Sequence, residues 1–205
     1  MARKIQVFSF LERAVSDDPT RPFLIAPYWD HEAGAVVSTD GRRMHIWQLD
    51  KTANDYKKEA EKWGLPVDRS MYLHAVHDIG KFVERKMDTQ FPAWKRVVPD
   101  YLPKASDWKG EAHLHPSRML TNPTKKARGQ AIGEFCYFSK SGPVNIDYLI
   151  DLEGWSWIYA KDNELPEKRA IAFTAVGNMV PGPGASSLHA VIMPMNLDYD
   201  GYKTE

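Results

Sequence analysis

This sequence has little cysteine, no long apolar run and no excess of either charge. Cys136 is its one cysteine among 205 residues, which excludes an internal disulfide and a zinc cluster built on thiolates. No apolar run approaches the ~18–20 residues of a membrane-spanning helix. We therefore expect a soluble, cytoplasmic protein that does not bind membranes.

Positive and negative side chains balance, with 27 Lys and Arg against 27 Asp and Glu. Tight binding of nucleic acid needs an excess of basic side chains that neutralise phosphates. The balance argues against a strongly basic nucleic-acid-binding domain, while leaving room for a locally basic face. Hydrophobic residues make up 43% and charged residues 26% of the chain, which is typical of a globular protein with one large or two small domains.

The first half alternates helical and extended patterns. Apolar residues at three- and four-residue spacing predict a helix over residues 5–16. Short apolar or alternating runs predict strands, and an Asp-Gly pair predicts the tight turn at 39–41. The predicted strands cover residues 23–29, 35–38 and 44–49; helices are predicted over 52–63 and 71–88; and 91–99, with proline near both ends, is predicted to be a linker or edge strand.

The second half repeats this outline without any repeat in sequence. Residues 145–152 predict a short helix capped by Asn145, with Asp147 in its first turn. The strands predicted around it cover residues 133–139, 155–160, 170–176 and 188–195. A loop rich in Gly, Pro and Ser is predicted between the last two.

Two closely spaced pairs of histidines are candidates for a metal site. His74 and His77 would share a face of a helix, and His113 and His115 would share a face of a strand. Four imidazoles could form a metal-dependent hydrolytic centre. Neither pair lies in a known ligand signature, so ordinary surface histidines are the favoured interpretation.

Other catalytic patterns are missing. There is no G-x-S-x-G nucleophile motif, and Cys136 lies within an apolar run that does not favour a reactive thiolate. The glycines at 177, 182 and 184 are not followed by the Lys-Ser/Thr of a phosphate loop. The sequence therefore predicts no catalytic residue and no cofactor.

Four segments, in order along the chain, resemble the bacterial DNA polymerase sliding clamp family. Residues 37–44, VSTDGRRM, resemble the family's "ATDGHRL" turn, and 91–99, FPAWKRVVP, resemble its "FPDYRRVLP" segment. Residues 144–152, VNIDYLIDL, resemble the helix "FNxxYLLDxL", and 190–197, AVIMPMNL, resemble the terminal "YVVMPMRL". The likeness is to shortened clamp-like proteins, of the kind found in phages and prophages, that match the last two clamp domains.

The resemblance implies an α+β fold of two DNA-clamp-like domains, with antiparallel sheets and with helices on one face. Residues 1–90 would form the first domain, 91–99 the connector and 100–205 the second domain. It also implies a cleft that receives a short hydrophobic motif from polymerases or other clients of replication and repair. The matching positions in this sequence are Thr39, Gly41, Arg42, Arg43, Met44, Pro99, Val191, Met193, Pro194 and Met195.

In that family a ring of six domains encloses double-stranded DNA without sequence specificity. Two domains per chain would require a head-to-tail homotrimer. The candidate DNA-facing residues are Arg3, Lys4, Arg13, Lys57, Lys58, Lys125 and Lys126. The function implied is a non-enzymatic clamp or processivity factor; an adaptor or decoy that never closes a ring is the alternative.

The sequence departs from the family pattern at several of these positions. Arg42 replaces the usual His, Met44 the usual Leu and Asn196 the terminal Arg. The chain also runs past the terminal motif into residues 198–205. That tail could cover part of the cleft or change its charge.

Overall fold

The computed structural model describes residues 2–99, 131–132, 135–138, 142–152, 155–159, 170–176 and 186–194. The helices within them are α1 (Ala2–Glu12), α2 (Tyr56–Lys62) and α3 (Ile146–Ile150). The first strands are β1 (Tyr28–Asp30), β2 (Ala35–Thr39), β3 (Arg43–Gln48), β4 (Met71–Val76) and β5 (Lys81–Glu84). The others are β6 (Ala131–Ile132), β7 (Phe135–Phe138), β8 (Gly142–Asn145), β9 (Ser156–Tyr159), β10 (Ile171–Val176) and β11 (Ser187–Ile192).

Eight of these strands form one antiparallel sheet in the order β5-β4-β1-β2-β3-β11-β10-β9, and β6-β7-β8 form a smaller antiparallel sheet. The predicted α+β class with antiparallel sheets is therefore confirmed. Among the described residues, no helix combines the length and the apolar character needed to cross a bilayer.

The helices cover one face of the large sheet, called here the helix face. Val7, Phe8, Phe10 and Leu11 of α1 lie at helical spacing and are fully or almost fully buried. They join a core that also includes α2, α3 and the inward side chains of the strands, among them Trp47. Fully burying side chains of this size contributes about 1.5–3 kcal/mol each, so this face dominates the stability of the fold.

The opposite face, called here the outer face, is covered by an irregular segment, residues 91–98. Phe91, the first residue of this segment, is buried against the outer face, and its ring stacks on that of Tyr28 with 4.7 Å between the ring centroids. Trp94 and Val98 pack on the same face beside Ile46. All five residues of β2 are buried because both faces of the strand are covered.

The pairing of β3 with β11 joins the two halves of the sequence. Six residue pairs run from Ser187↔Gln48 to Ile192↔Arg43, with Met44 opposite Val191. The large sheet therefore combines strands from both predicted domains. The division at residues 91–99 itself stays a prediction.

The helix predicted over residues 71–88 is wrong. The segment forms β4 and β5, joined by a 3-10 turn at His77–Ile79. The spacing of its apolar side chains also fits two strands that are partly covered on both faces. Gly80, at φ 61°, adopts a left-handed backbone conformation that would end a helix at this point. Pairing of β4 with β1 decides between the two patterns.

Two other predictions are corrected by local backbone chemistry. Residues 23–29 do not form one strand: a 3-10 turn occupies Pro22–Leu24, and only β1 is extended. For residues 91–99, predicted to be a linker or an edge strand, the strand alternative is wrong, because the segment is irregular with a 3-10 turn at Trp94–Arg96. In both segments proline removes a backbone donor that a ladder would need. By contrast, the predicted cap is confirmed, since the Asn145 side chain accepts a hydrogen bond of 2.8 Å from the backbone N–H of Asp147.

At position 64, close packing leaves no room for a side chain, so only glycine fits. Gly64, which follows α2, has φ 77°, and a Cβ there would lie 2.0 Å from the carbonyl oxygen of Phe82. The neighbouring Trp63 carbonyl accepts a 2.7 Å hydrogen bond from the N–H of Phe82. The end of α2 is thereby held against β5.

Candidate functional site

A pocket of about 320 Å³ opens on the outer face where β3 meets β11. Its floor is apolar: Met44 and Val191 are buried there, while Met193 is 44% exposed at its edge. Pockets that bind small ligands usually begin at about this volume, so it suits one or two apolar side chains. The complete lining is Phe23, Leu24, Thr39, Gly41, Arg42, Arg43, Met44, Pro92, Ala93, Trp94, Val97, Val191 and Met193.

The turn between β2 and β3 forms one wall and is held by its own hydrogen bonds. The Asp40 carboxylate accepts bonds from the backbone N–H groups of Arg42 (2.8 Å) and Arg43 (2.9 Å). Thr39 Oγ1 accepts a 3.0 Å bond from the Gly41 N–H and donates a 2.6 Å bond to the Arg43 carbonyl. Gly41 has φ 89°, which favours glycine. The wall is therefore fixed before any ligand binds.

Arg43 connects this turn to α3. Its guanidinium pairs with Asp40 at 3.1 Å and with Asp151 just beyond α3, and it lies 4.6 Å from the centre of the Tyr148 ring. The side chains of Arg43 and of both carboxylates are mostly buried. Arg43 therefore acts as a structural link, whereas Arg42 is exposed at the rim.

Trp94 forms the opposite wall. Its indole N–H donates a 3.1 Å hydrogen bond to Asp30 Oδ2, which also pairs with Lys95 Nζ at 3.0 Å. Burial, the largest influence, acts to raise the pKa of Asp30; hydrogen bonds from Ala33, Lys95 and Trp94 outweigh it, and the pKa is lowered overall. An ionised Asp30 thus orients the Trp94 ring.

A second pocket, of about 450 Å³, lies on the other side of Trp94. His189 lines it, with Nδ1 3.0 Å from Thr174 Oγ1 and Nε2 2.8 Å from Ser187 Oγ. Burial lowers the pKa of His189 to about 4. The ring is therefore neutral at pH 7; it accepts a hydrogen bond from one of the two hydroxyls and donates one to the other.

Most of the predicted cleft residues come together around the first pocket. Those that line it are Thr39, Gly41, Arg42, Arg43, Met44, Val191 and Met193. Pro99 and Pro194 are described but do not line it, and Met195 lies outside the described residues. Sequence reasoning missed Phe23, Leu24 and several residues of the 91–98 segment, whose apolar Trp94 and Val97 were the available signal.

The predicted DNA-facing residues are only partly described. Arg3 and Lys4 lie in α1, and Lys57 and Lys58 are exposed on α2, so both groups belong to the helix side of the sheet. Arg13 is exposed just after α1, where its Nη1 donates a 3.1 Å hydrogen bond to the Asp151 carbonyl. Lys125 and Lys126 lie outside the described residues.

The first of the two candidate histidine pairs does not lie on a helix. His74 is exposed on β4, while His77 lies in the following 3-10 turn with Nε2 3.0 Å from Glu12. His113 and His115 lie outside the described residues. Among the residues that are described, no three His, Cys, Asp or Glu side chains are grouped as metal ligands.

No family model matches the chain, and no curated protein matches it. Solved structures do. A DNA polymerase sliding clamp from Pseudomonas aeruginosa, determined with a ligand, superposes with a TM-score of 0.53 at 14% identity over 95% of this chain and 64% of that one. This chain has a sliding-clamp fold.

Two further structures agree. The DNA polymerase III subunit beta from Pseudomonas aeruginosa gives a TM-score of 0.51 at 15% identity, covering 95% of this chain and 64% of the other. The sliding clamp from Bacillus subtilis gives 0.50 at 13% identity, covering 94% and 61%. This clamp-fold chain thus spans less than two-thirds of the length of the clamps that it matches.

Proposed function

We propose that this chain is a non-enzymatic, clamp-type processivity factor that binds hydrophobic peptide motifs of replication or repair proteins in the pocket between β3 and β11. One observation carries the proposal. The pocket brings together the 37–44 turn, the 91–98 segment and the end of β11, which are three of the four segments that resemble the clamp family.

The chemistry of the pocket suits an apolar peptide side chain. Methionine side chains are flexible and polarizable, so Met44 and Met193 can adapt to more than one partner. The hydrogen-bonded turn and the Asp30–Trp94 contact hold the walls in place, which reduces the entropic cost of binding. Such a surface would serve several clients that share one short motif.

The proposal extends to DNA through the helix side of the sheet. The exposed Lys57 and Lys58 would make loose contacts with phosphates as a ring of clamp domains encloses the duplex. Zero net charge fits a protein that slides rather than grips. A head-to-tail trimer would provide the six domains of such a ring.

The peptide site is tested by fluorescence anisotropy with a short fluorescein-labelled peptide ending in Leu-Phe. We expect saturable binding by the full chain and at least about tenfold weaker binding by Met193→Ala, because the substitution removes apolar contact area worth about 1.5 kcal/mol or more. Val83→Ala is the matched control, since Val83 is 39% exposed against 44% for Met193 and lies on β5, outside the pocket lining. Equal affinity of wild type and Met193→Ala would refute the site.

The ring is tested separately by light scattering across a concentration series. A stable trimer would support the ring. A monomer or dimer at every concentration would exclude an autonomous ring and leave the adaptor or decoy role, with the pocket as the functional surface.

A further inference from the structure

The fourth clamp-like segment, residues 144–152, contacts the pocket wall from the far side of the sheet. The segment contains α3, which packs on the helix face, and none of its residues lines the pocket. Its Asp151, just beyond α3, nevertheless pairs with the guanidinium of Arg43, which does line the pocket. A segment on one face of the sheet is therefore tied to a site on the other face.

The alternation of β3 explains how Arg43 reaches both faces. Met44 lies at the pocket floor on the outer face, whereas His45 reaches the helix face, where its Nδ1 lies 2.5 Å from the Phe10 carbonyl of α1. Successive strand residues point to opposite faces, so the side chain of Arg43 lies with His45 on the helix face. The backbone of Arg43 meanwhile belongs to the hydrogen-bonded turn that forms the pocket wall. A restraint on the guanidinium therefore acts on the wall.

Three groups hold the guanidinium of Arg43. Nε lies 3.1 Å from Asp40 Oδ2, Nη1 pairs with Asp151 Oδ2, and the carbon at the centre of the guanidinium lies 4.6 Å from the centre of the Tyr148 ring. All three charged side chains are less than 20% exposed, so salt in the solvent screens their attraction only weakly. Asp40 lies in the same turn as Arg43 and moves with it. The pair with Asp151 is different, because it fixes the turn relative to another element of the fold.

Asp151 is itself held by two helices. Its backbone N–H donates a 3.1 Å hydrogen bond to the carbonyl of Asp147, which continues the last turn of α3. Its backbone carbonyl accepts a 3.1 Å hydrogen bond from Nη1 of Arg13, just beyond α1. The carboxylate that meets Arg43 therefore comes from a fixed backbone and can serve as an anchor for the turn.

We infer that Asp151 is a positioning residue for the pocket: acting through Arg43 from the helix face, its carboxylate fixes the 39–43 turn as a wall of the site. Without that carboxylate, Arg43 keeps only Asp40 as an ion-pair partner, and the turn loses its restraint from α3. A less preorganised wall binds its ligand more weakly, because binding must then order it. The consequence for peptide affinity rests on the proposed function, whereas the consequence for the shape of the pocket does not.

The test compares the full chain with Asp151→Asn, which removes the charge at constant size and can still accept one hydrogen bond, so the fold should be retained. Asp147→Asn is the matched control: it makes the same change on α3 at an exposed side chain that has no ion-pair partner among the described residues. The first readout is the NMR spectrum of ¹³C-methyl-labelled methionine without peptide. We expect the signals of Met44 and Met193 to shift in Asp151→Asn alone. Unchanged signals, or equal shifts in both variants, would overturn the positioning role.

The second readout is the affinity for the Leu-Phe peptide. Asp151→Asn should bind it at least about threefold more weakly than the wild type, as expected for side chains that are energetically coupled, while the control should bind as the wild type does. Shifted methionine signals with unchanged peptide affinity would refute a role in binding. Shifted signals in a protein whose wild type binds no peptide would retain the positioning and overturn the proposed function.

A double-mutant cycle tests whether Asp151 acts through Arg43. The double variant Arg43→Gln/Asp151→Asn should bind the peptide no more weakly than Arg43→Gln alone, because the first substitution already breaks the pair. A merely structural role of Asp151 predicts a further loss of affinity in the double variant. Losses that add would therefore refute the inference, even if both single variants bind weakly.

Discussion

The two faces of the large sheet are covered by different kinds of structure. On the helix face, α1, α2 and α3 pack into a continuous core that includes Trp29, Trp47 and Trp157, all fully buried. On the outer face, the cover is a proline-containing segment with one short 3-10 turn, and pockets open on both sides of Trp94. The helices pack closely on the first face, whereas the irregular cover leaves pockets on the second. We therefore expect the first face to supply most of the stability and the second to carry the proposed binding site.

The largest expected effect lies on the helix face. Trp47 is fully buried, and its ring centre lies 4.4 Å from that of Trp63. Trp47→Ala should lower the free energy of unfolding by about 3–5 kcal/mol because it leaves a large cavity. Urea denaturation measures this, with Val83→Ala on β5 as an exposed control. A loss near 1 kcal/mol would contradict the proposed difference between the faces.

A pH series compares the faces through one histidine on each, fully buried His45 and partly buried His189. On the helix face, His45 Nδ1 lies 2.5 Å from the Phe10 carbonyl, and burial lowers its pKa to about 3. On the outer face, burial lowers the pKa of His189 to about 4. Both values lie below the 6.5 of an unfolded chain, so the unfolded state takes up protons first as the pH falls, and stability decreases from about pH 6.5 downward.

Between pH 7 and 5, each histidine should cost about 2 kcal/mol of unfolding free energy. Urea denaturation at the two pH values measures the combined loss of unfolding free energy from both histidines. His189→Gln should remove about half of the pH dependence of that free energy. Asp30 titrates below this range, because its pKa is lowered from 3.8. Equal stability at pH 7 and 5 would show that the two rings are open to water.

Sequence patterns predicted the parts of this molecule that are decided locally. The Asp-Gly turn, the Asn145 cap and the alternating β3 strand each carry a chemical signal over a few residues. The helix prediction for residues 71–88 was wrong because their apolar spacing fits both a helix and two strands. Only the pairing of β4 with β1 decides between the two structures. In the site, motif likeness identified the turn and the end of β11, but the contribution of Trp94 depends on its hydrogen bond to the distant Asp30. Such contacts have no local signature.

The smallest expected effect on stability comes from the outer face, at Trp94. The ring is only partly buried, so Trp94→Ala should cost about 1 kcal/mol of unfolding free energy, near the value of the one lost hydrogen bond to Asp30. Binding of the Leu-Phe peptide should nevertheless fall at least about tenfold, because Trp94 forms a wall of the pocket. Trp94→Phe keeps an aromatic wall without the indole N–H and should retain more of the affinity than Trp94→Ala. Should Trp94→Ala destabilise the fold as much as Trp47→Ala while leaving peptide binding intact, the outer face would be a second core rather than a binding surface.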